Sequence, residues 1–233
     1  MDQGDYKVRL ANCRLCRRLV EHHKAIKLVH PDYFAAPVPI WGDRESKILI
    51  VGLAPGLHGA SRTGRAFVGD SSGEFLFASL FKFGWATSPK SDEAMLQEVM
   101  ITNAVKCLPP ANKPMTVEEK RCSKFSEEEI VAFRHEGTGN KAILCLGGIA
   151  FKAVAGIADY GERIRFGHGV VVDVSKDLKI FASYHPSRLN VNTGRLNSQM
   201  FNSLLDRIDT FVGISGYKDQ SIAVNAREVK SDV

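Results

Sequence analysis

"KILIVGLAPG", residues 47–56, begins as a run of β-branched and other apolar residues and stops at Pro55-Gly56. A short apolar run bounded by turn residues is typical of a strand buried on both faces of a parallel sheet. Two further runs have the same character, VMITNAVKC (99–107) and KAILCLGG (141–148), and helix signals lie between the three. Strands that alternate with helices predict an α/β protein with a largely parallel sheet.

The helix signals come from spacing and from capping residues. Residues 8–29 have helical spacing and contain two of the cysteines. Ser71 with Glu74 is a capping-box pattern, which predicts a helix that begins there and stops near Gly84. Ser126 with Glu129 is a second such pattern and predicts that another helix begins there and continues to about residue 135.

The last third of the chain supplies two more strands and a final helix. GVVVDV (169–174) and LKIFASYH (178–185) are interpreted as strands, with a hairpin around Lys176-Asp177. One face of the final helix is predicted by apolar residues at helical spacing: Leu196, Met200, Leu204, Leu205, Ile208 and Phe211. We expect residues 1–213 to form a single domain and the polar residues 214–233 to form a tail.

Composition places the chain among ordinary soluble proteins. Of the 233 residues, 44% are hydrophobic and 24% are charged. No apolar run approaches the length of a membrane span, and residues 1–13 lack the apolar core of a secretion signal, so we expect a cytoplasmic protein without membrane contact. The net charge of +5 permits a polyanionic partner without requiring one.

Polar segments follow three of the predicted strands. They cover residues 54–70, 103–107 and 185–190. Because ligands of open parallel sheets bind at the carboxyl ends of the strands, we expect these segments to meet in one site.

Five cysteines are present, and four of them lie in polar surroundings. Cys145 lies in an apolar run and is expected to be a small core residue. The others form a C-x2-C pair followed at a distance by two single cysteines: Cys13, Cys16, Cys107 and Cys122. Four thiolates suit either structural zinc or a 4Fe-4S cluster, and four unrelated free thiols are the alternative. The single C-x2-C pair favours iron–sulfur, because zinc ribbons usually have two.

A glycine-rich segment, residues 52–73, follows the first strand. It matches neither a P-loop nor a dinucleotide-binding fingerprint. It offers Arg62 and Arg65 for anions, and Phe67 either as a flat apolar face for a ligand or as a core residue. Asp70 could serve as a carboxylate of the site or simply cap the helix that follows.

Four motifs then occur in order along the chain: GLAPG (52–56), TGRAFVGDSSG (63–73), ITNAVKC (101–107) and HPSRLNVNTGRL (185–196). Together they resemble the uracil-DNA glycosylase superfamily, and the four cysteines narrow the resemblance to its iron–sulfur branches, families four and five. Family four typically carries an acidic residue where this chain has Leu53, so the chain resembles family 5, called type B. The motifs run from Gly52 to Leu196, and the cysteines extend the match back to Cys13.

The resemblance implies a fold, a cofactor and an activity. The fold is a three-layer α/β/α sandwich around a four-stranded, mainly parallel sheet, and the four cysteines hold a 4Fe-4S cluster. The activity is that of a monofunctional DNA glycosylase in base excision repair, which flips uracil or another deaminated base out of DNA, cuts its N-glycosidic bond and leaves an abasic site. We expect a monomer that associates with the nucleoid through DNA.

The resemblance also assigns roles to residues, which fall into three groups. The catalytic residues are Asp70 (water activation or stabilisation of the sugar cation), His185 (a donor to the departing base) and Asn190. The base-binding residues are Gly52, Ala54, Gly56, His58, Phe67 and Asn103. The DNA-binding residues are Arg62, Arg65, Ser187, Arg188, Leu189 and Arg195, with Arg188 and Leu189 as the candidates for a wedge in the minor groove.

Two other classes of function are consistent with the residues. The first is a non-catalytic iron–sulfur module that binds nucleic acid, and the apolar first motif is its best support. The second is a small redox protein that uses the cluster.

Overall fold

A computed structural model describes residues 3–158 and 164–214 of the chain. Within these ranges, six strands form one sheet in the order β1-β3-β2-β4-β6-β5. Their bounds are Trp41–Gly42 (β1), Ile48–Gly52 (β2), Val99–Asn103 (β3), Lys141–Leu146 (β4), Val171–Ser175 (β5) and Leu178–Ser183 (β6).

The four inner strands, β3, β2, β4 and β6, are mutually parallel, and the two outer strands are antiparallel to their neighbours. The expected four-stranded sheet is therefore its parallel core, and the two edge strands are a correction. β1 is only two residues long and carries no sequence pattern. The hairpin of β5 and β6 is confirmed.

Helices cover both faces of the sheet. Their bounds are Gln3–Ala11 (α1), Arg17–Val29 (α2), Ala60–Thr63 (α3), Ser71–Lys82 (α4), Thr116–His135 (α5), Gly148–Ile157 (α6), Arg188–Asn192 (α7) and Ser198–Val212 (α8). Successive side chains of a strand point to opposite faces. Ile48 and Ile50 of β2 accordingly pack with α4 and α8, whereas Leu49 and Val51 pack with α1, α5 and α6. The three-layer α/β/α arrangement is confirmed.

The first predicted helix is interrupted. Instead of one helix over residues 8–29, α1 ends at Ala11 and α2 begins at Arg17. Cys13 and Cys16 lie in the break, and both thiols line a small cavity together with residues from other segments of the chain. Helical spacing does not reveal such a break.

Two helix starts differ from the predicted capping boxes. Asp70, not Ser71, caps α4, because its side chain accepts a hydrogen bond from the Gly73 backbone N–H. α5 begins ten residues before Ser126, at Thr116, where the Glu118 carboxylate accepts from the Met115 N–H. Ser126 therefore lies in mid-helix and donates to a backbone carbonyl of another segment.

The end of the described chain matches the prediction in part. α8 is confirmed, and its amino terminus is capped by Asn197, whose side chain accepts from the Met200 N–H. Most of the predicted tail, residues 215–233, lies outside the described residues. Among the described helices, none combines the length and the apolar character that crossing a bilayer requires.

Candidate active site

A cavity of about 310 Å³ opens at the carboxyl ends of the parallel strands. The three polar segments singled out in the sequence all reach it, as predicted from their positions at the strand ends. Its lining comes from the loop after β2, the end of β3 and its following loop, and the segment after β6: Leu53, Ala54, Pro55, Gly56, Ala60, Phe67, Asp70, Ser72, Asn103, Asn112, His185 and Ser187.

β2 ends at Gly52, which has no side chain, and two residues of the cavity lining occupy the space that a side chain would need. A Cβ atom on Gly52 would lie 2.5 Å from Oδ1 of Asn103 and 2.6 Å from Cε2 of Phe67. Gly52 is hence not part of the lining but lies behind it. Phe67 has a positive φ of 61°, a conformation that costs free energy in a non-glycine residue. Phe67 thus belongs both to the core and to the cavity wall.

Asp70 performs two tasks with its two oxygens. Oδ1 accepts the capping hydrogen bond from the Gly73 N–H at 3.0 Å. Oδ2 faces the glycine loop, where a Cβ on Gly59 would lie 2.2 Å from it and one on Gly56 would lie 3.0 Å from it. The backbone can approach the carboxylate only because these residues lack side chains. Asp70 therefore both caps the helix and lines the cavity.

His185 lies opposite this carboxylate, after β6. Its ring centroid is 5.9 Å from that of Phe67, so the two rings form adjacent walls of the cavity. Burial lowers the pKa of His185 below its ordinary value, and the charge of Asp70 opposes this only in part. The imidazole is therefore neutral at pH 7 and keeps one ring N–H as a donor.

Asn190 does not line the cavity but contacts the backbone of His185. Its Nδ2 donates to the His185 carbonyl at 2.8 Å, and its backbone N–H is 3.4 Å from the Ser187 hydroxyl that caps α7. These contacts hold the segment that carries the imidazole.

His58, like Gly52, is a predicted base-binding residue that the structure places outside the cavity lining. It is exposed, and its Nδ1 is 2.8 Å from the Tyr33 hydroxyl. His58 lies in the turn that leads into α3, and its imidazole faces Tyr33 in the segment that precedes β1.

Apart from Ser187, which lines the cavity, the predicted DNA-binding side chains fall into two groups. Arg188 and Leu189 are exposed on α7, and Leu189 is 72% exposed. The others are held by neighbours: Arg62 donates to the His58 carbonyl, Arg65 lies over the Trp41 ring, and Arg195 lies over the Tyr184 ring.

Asn112 and Ser72 line the cavity but were not identified from the sequence. Asn112 ends a short 3-10 turn, Pro110–Asn112, and both Asn112 and Ala111 have positive φ. The signal for Asn112 was weak: an asparagine, which tolerates this conformation, in a proline-bounded loop between two cysteines. Ser72 lies in the first turn of α4 and has no distinguishing pattern.

The four cysteines line a second, smaller cavity together with Leu15, Leu19, Val20, Val105, Glu118 and Arg121. Burial raises the pKa of Cys16, Cys107 and Cys122, and for Cys107 the three other thiols are the next largest cause. Within the described ranges, no three or more His, Cys, Asp and Glu side chains meet the geometry of a site for a single metal ion.

The sequence profile of the uracil DNA glycosylase superfamily matches residues 39–209, so the chain belongs to this superfamily. Its relatives include Type-5 uracil-DNA glycosylases. That of Pyrobaculum aerophilum is 41% identical over 211 residues, covering 87% of this chain and 90% of that protein. That of Thermus thermophilus is 37% identical over 225 residues (92% and 100%), and that of Mycobacterium tuberculosis is 36% identical over 214 residues (87% and 79%). The resemblance to family five is thereby confirmed.

Replacing Gly52 with alanine tests the packing at the strand end. The new Cβ meets only side-chain atoms, so we expect the Asn103 carboxamide and the Phe67 ring to move from 2.5–2.6 Å to ordinary contact at 3.4–4 Å while the fold persists. Crystal structures would reveal the shift, and the melting temperature should fall by less than about 4 °C, the effect of about 1 kcal/mol in a domain of this size. Gly156→Ala is the control, since a Cβ there meets nothing within 4 Å. Unmoved Asn103 and Phe67 side chains would contradict the interpretation.

Proposed function

We propose that this protein is a monofunctional uracil-DNA glycosylase, which hydrolyses the N-glycosidic bond of uracil and other deaminated bases flipped out of DNA and leaves an abasic site. The observation that carries the proposal is the cavity in which Asp70, Asn103 and His185 converge, in a chain of this superfamily. A base stacked in a duplex is inaccessible, so the enzyme must extrude it at a cost of a few kcal/mol.

Base recognition follows from the cavity walls. The Phe67 ring offers a flat face on which an extruded base can stack. The Asn103 carboxamide offers one acceptor and two donors, which suits the N3–H and O4 of uracil. Because Asn103 is 97% buried, this recognition takes place away from bulk water, where an unmatched base edge is costly. The same edge, a ring N–H beside a carbonyl, occurs in other deaminated bases.

His185 stabilises the departing base in this proposal. Cleavage of the glycosidic bond leaves negative charge on the base, and a preorganised donor near that charge lowers the barrier. A neutral imidazole can supply this donor, because one of its ring nitrogens carries a hydrogen. Asn190 supports it by holding the His185 carbonyl.

Asp70 serves the sugar side of the reaction. The first motif presents only apolar side chains, Leu53 and Ala54, so the acidic group of the cavity lining is Asp70. Its carboxylate can polarise the attacking water or face the positive charge that develops on the sugar. Two opposite unit charges about 4 Å apart attract by about 4 kcal/mol in an effective dielectric of about 20.

The exposed residues of α7 are well placed to bind DNA. We propose that Leu189 or Arg188 enters the space that the extruded base vacates, with Ser187, Arg62, Arg65 and Arg195 near the phosphates. Exposure of Leu189 at the protein surface is then explained by burial in the complex. We further propose that the enzyme is a monomer and reaches the nucleoid through its affinity for DNA.

We also propose that Cys13, Cys16, Cys107 and Cys122 hold a 4Fe-4S cluster. Their common cavity supports it, because three distant segments bring all four thiols together there. A bound cluster holds them as thiolates and cross-links these segments. Its contribution is structural: it fixes the break between α1 and α2 against the loop after β3.

Incubation with a uracil-containing duplex followed by alkali tests the activity. We expect strand cleavage at the uracil, and a single-turnover rate about 100- to 1,000-fold lower for Asp70→Asn, corresponding to about 2.7–4 kcal/mol. Asparagine caps a helix as well as aspartate does, so this variant loses the charge and keeps the fold. A wild-type protein that binds the duplex and leaves it intact would support the non-catalytic nucleic-acid module instead.

His185→Ala should slow base release while duplex affinity stays unchanged. In the wild type, the lowered pKa means that the neutral imidazole persists as the pH falls below the ordinary histidine value of 6.5, so the rate should not decline at that pH. Measurement of single-turnover rates from pH 5 to 8, with binding to an uncleavable duplex as control, checks both statements. Weaker binding with intact chemistry would argue against the role.

Metal analysis of anaerobically purified protein tests the cluster. We expect iron and sulfide in equal amounts in the wild type, and their loss together with a lower melting temperature in Cys107→Ala. Cys145→Ala is the matched control, because Cys145 is fully buried in the core and does not line the cysteine cavity. Zinc in place of iron would contradict the cluster but keep the four-cysteine site, and a protein without either metal would contradict both.

A further inference from the structure

A buried ion pair lies between the base cavity and the cysteine cavity. Nζ of Lys106 is 2.5 Å from Oε2 of Glu129, and both side chains are 0% exposed. Lys106 belongs to the loop after β3, next to Cys107, and Glu129 lies two helical turns beyond Cys122 on α5.

The pair is part of a satisfied polar network. The Lys106 ammonium also donates to the Thr102 hydroxyl at 2.8 Å and to the Asn103 carbonyl at 2.6 Å, so its three protons have three acceptors. The Glu129 carboxylate accepts from the Thr102 hydroxyl at 2.9 Å and from the Tyr6 hydroxyl. Buried ion pairs add little net stability compared with well-packed apolar residues, so stability alone does not account for this one.

The bond to the Asn103 carbonyl gives the network a second consequence. Among the described residues, none donates to or accepts from the Asn103 carboxamide, which faces the base cavity. The direction of that carboxamide is therefore set by its packing at Gly52 and by the position of its own backbone. On one side β2 fixes this backbone through pairing of Gly52 with Asn103. On the other side the ammonium of Lys106, three residues later, fixes the carbonyl.

The same residues reach the cysteine cavity. The Lys106 backbone N–H is 3.3 Å from Sγ of Cys122, and Tyr6 belongs to α1, the helix that precedes Cys13. One network thus connects the end of β3 with two of the elements that carry or adjoin cysteines.

We propose that Lys106 is a positioning residue for base recognition: with Glu129 as its counter-ion, it fixes the Asn103 backbone so that the carboxamide meets the base edge in the cavity. This inference rests on the proposed glycosylase function. It assigns to an entirely buried lysine a part in specificity without contact to the substrate.

The test removes both charges at once, because removal of one partner would leave an unpaired buried charge and strongly destabilise the fold. In Lys106→Met/Glu129→Gln, the glutamine can still accept from Tyr6 and donate to Thr102. We expect a folded protein whose single-turnover release of uracil is at least tenfold slower and whose inhibition constant for free uracil is at least tenfold higher. Free uracil is the informative probe, because a merely structural role would leave its binding unchanged.

Lys141→Met is the matched control. Lys141 is a second buried lysine that donates to backbone carbonyls, those of Phe133 and Glu136, but it lies at the opposite end of the sheet. We expect it to lower the melting temperature and to leave the rate and the inhibition by uracil unchanged. Equal losses of activity in both variants would overturn the proposal.

Two more outcomes are decisive. If the double variant does not fold, Thr102→Val decides: a threefold or greater rise in the uracil inhibition constant supports the proposal, and an unchanged constant overturns it. If the wild type cleaves uracil-containing DNA and the double variant equals it in rate and inhibition, this inference fails while the proposed function stands. An inactive wild type would instead refute the proposed function itself.

Discussion

The site depends on the missing side chain at the end of β2. At Gly52 the Asn103 carboxamide and the Phe67 ring occupy the volume that any larger residue would need. The glycines that follow allow the same close approach to the Asp70 carboxylate. Polar and aromatic groups from distant parts of the chain can therefore converge on a backbone that parallel pairing has already made rigid.

Two ionisable groups of opposite character share this cavity. Asp70 lies at the amino terminus of α4, where its side chain accepts the capping hydrogen bond from the Gly73 N–H. Burial keeps His185 neutral, although the carboxylate nearby opposes this in part. The cavity thus combines a helix-capping carboxylate with a buried, neutral imidazole.

The interior behind the cavity is polar where most cores are apolar. The ammonium of Lys106, the carboxylate of Glu129 and the Thr102 hydroxyl satisfy one another, so their burial does not leave an unpaired charge. This network lies between Asn103, which lines the larger cavity, and Cys122, which lines the cysteine cavity.

The sequence by itself determined the parallel core, the last helix and the three segments that meet at the strand ends, because apolar periodicity and strand–loop order are local properties. Its motifs also determined the superfamily. Only the tertiary structure decided that Asp70 both caps a helix and lines the cavity. It also decided that His58 contacts Tyr33 outside the cavity and that Asn112 is part of the cavity lining. It likewise decided the helix break at the cysteines, the edge strand β1 and the early start of α5. Each of these depends on partners far along the chain, and contacts between distant residues leave no periodic signal in the sequence.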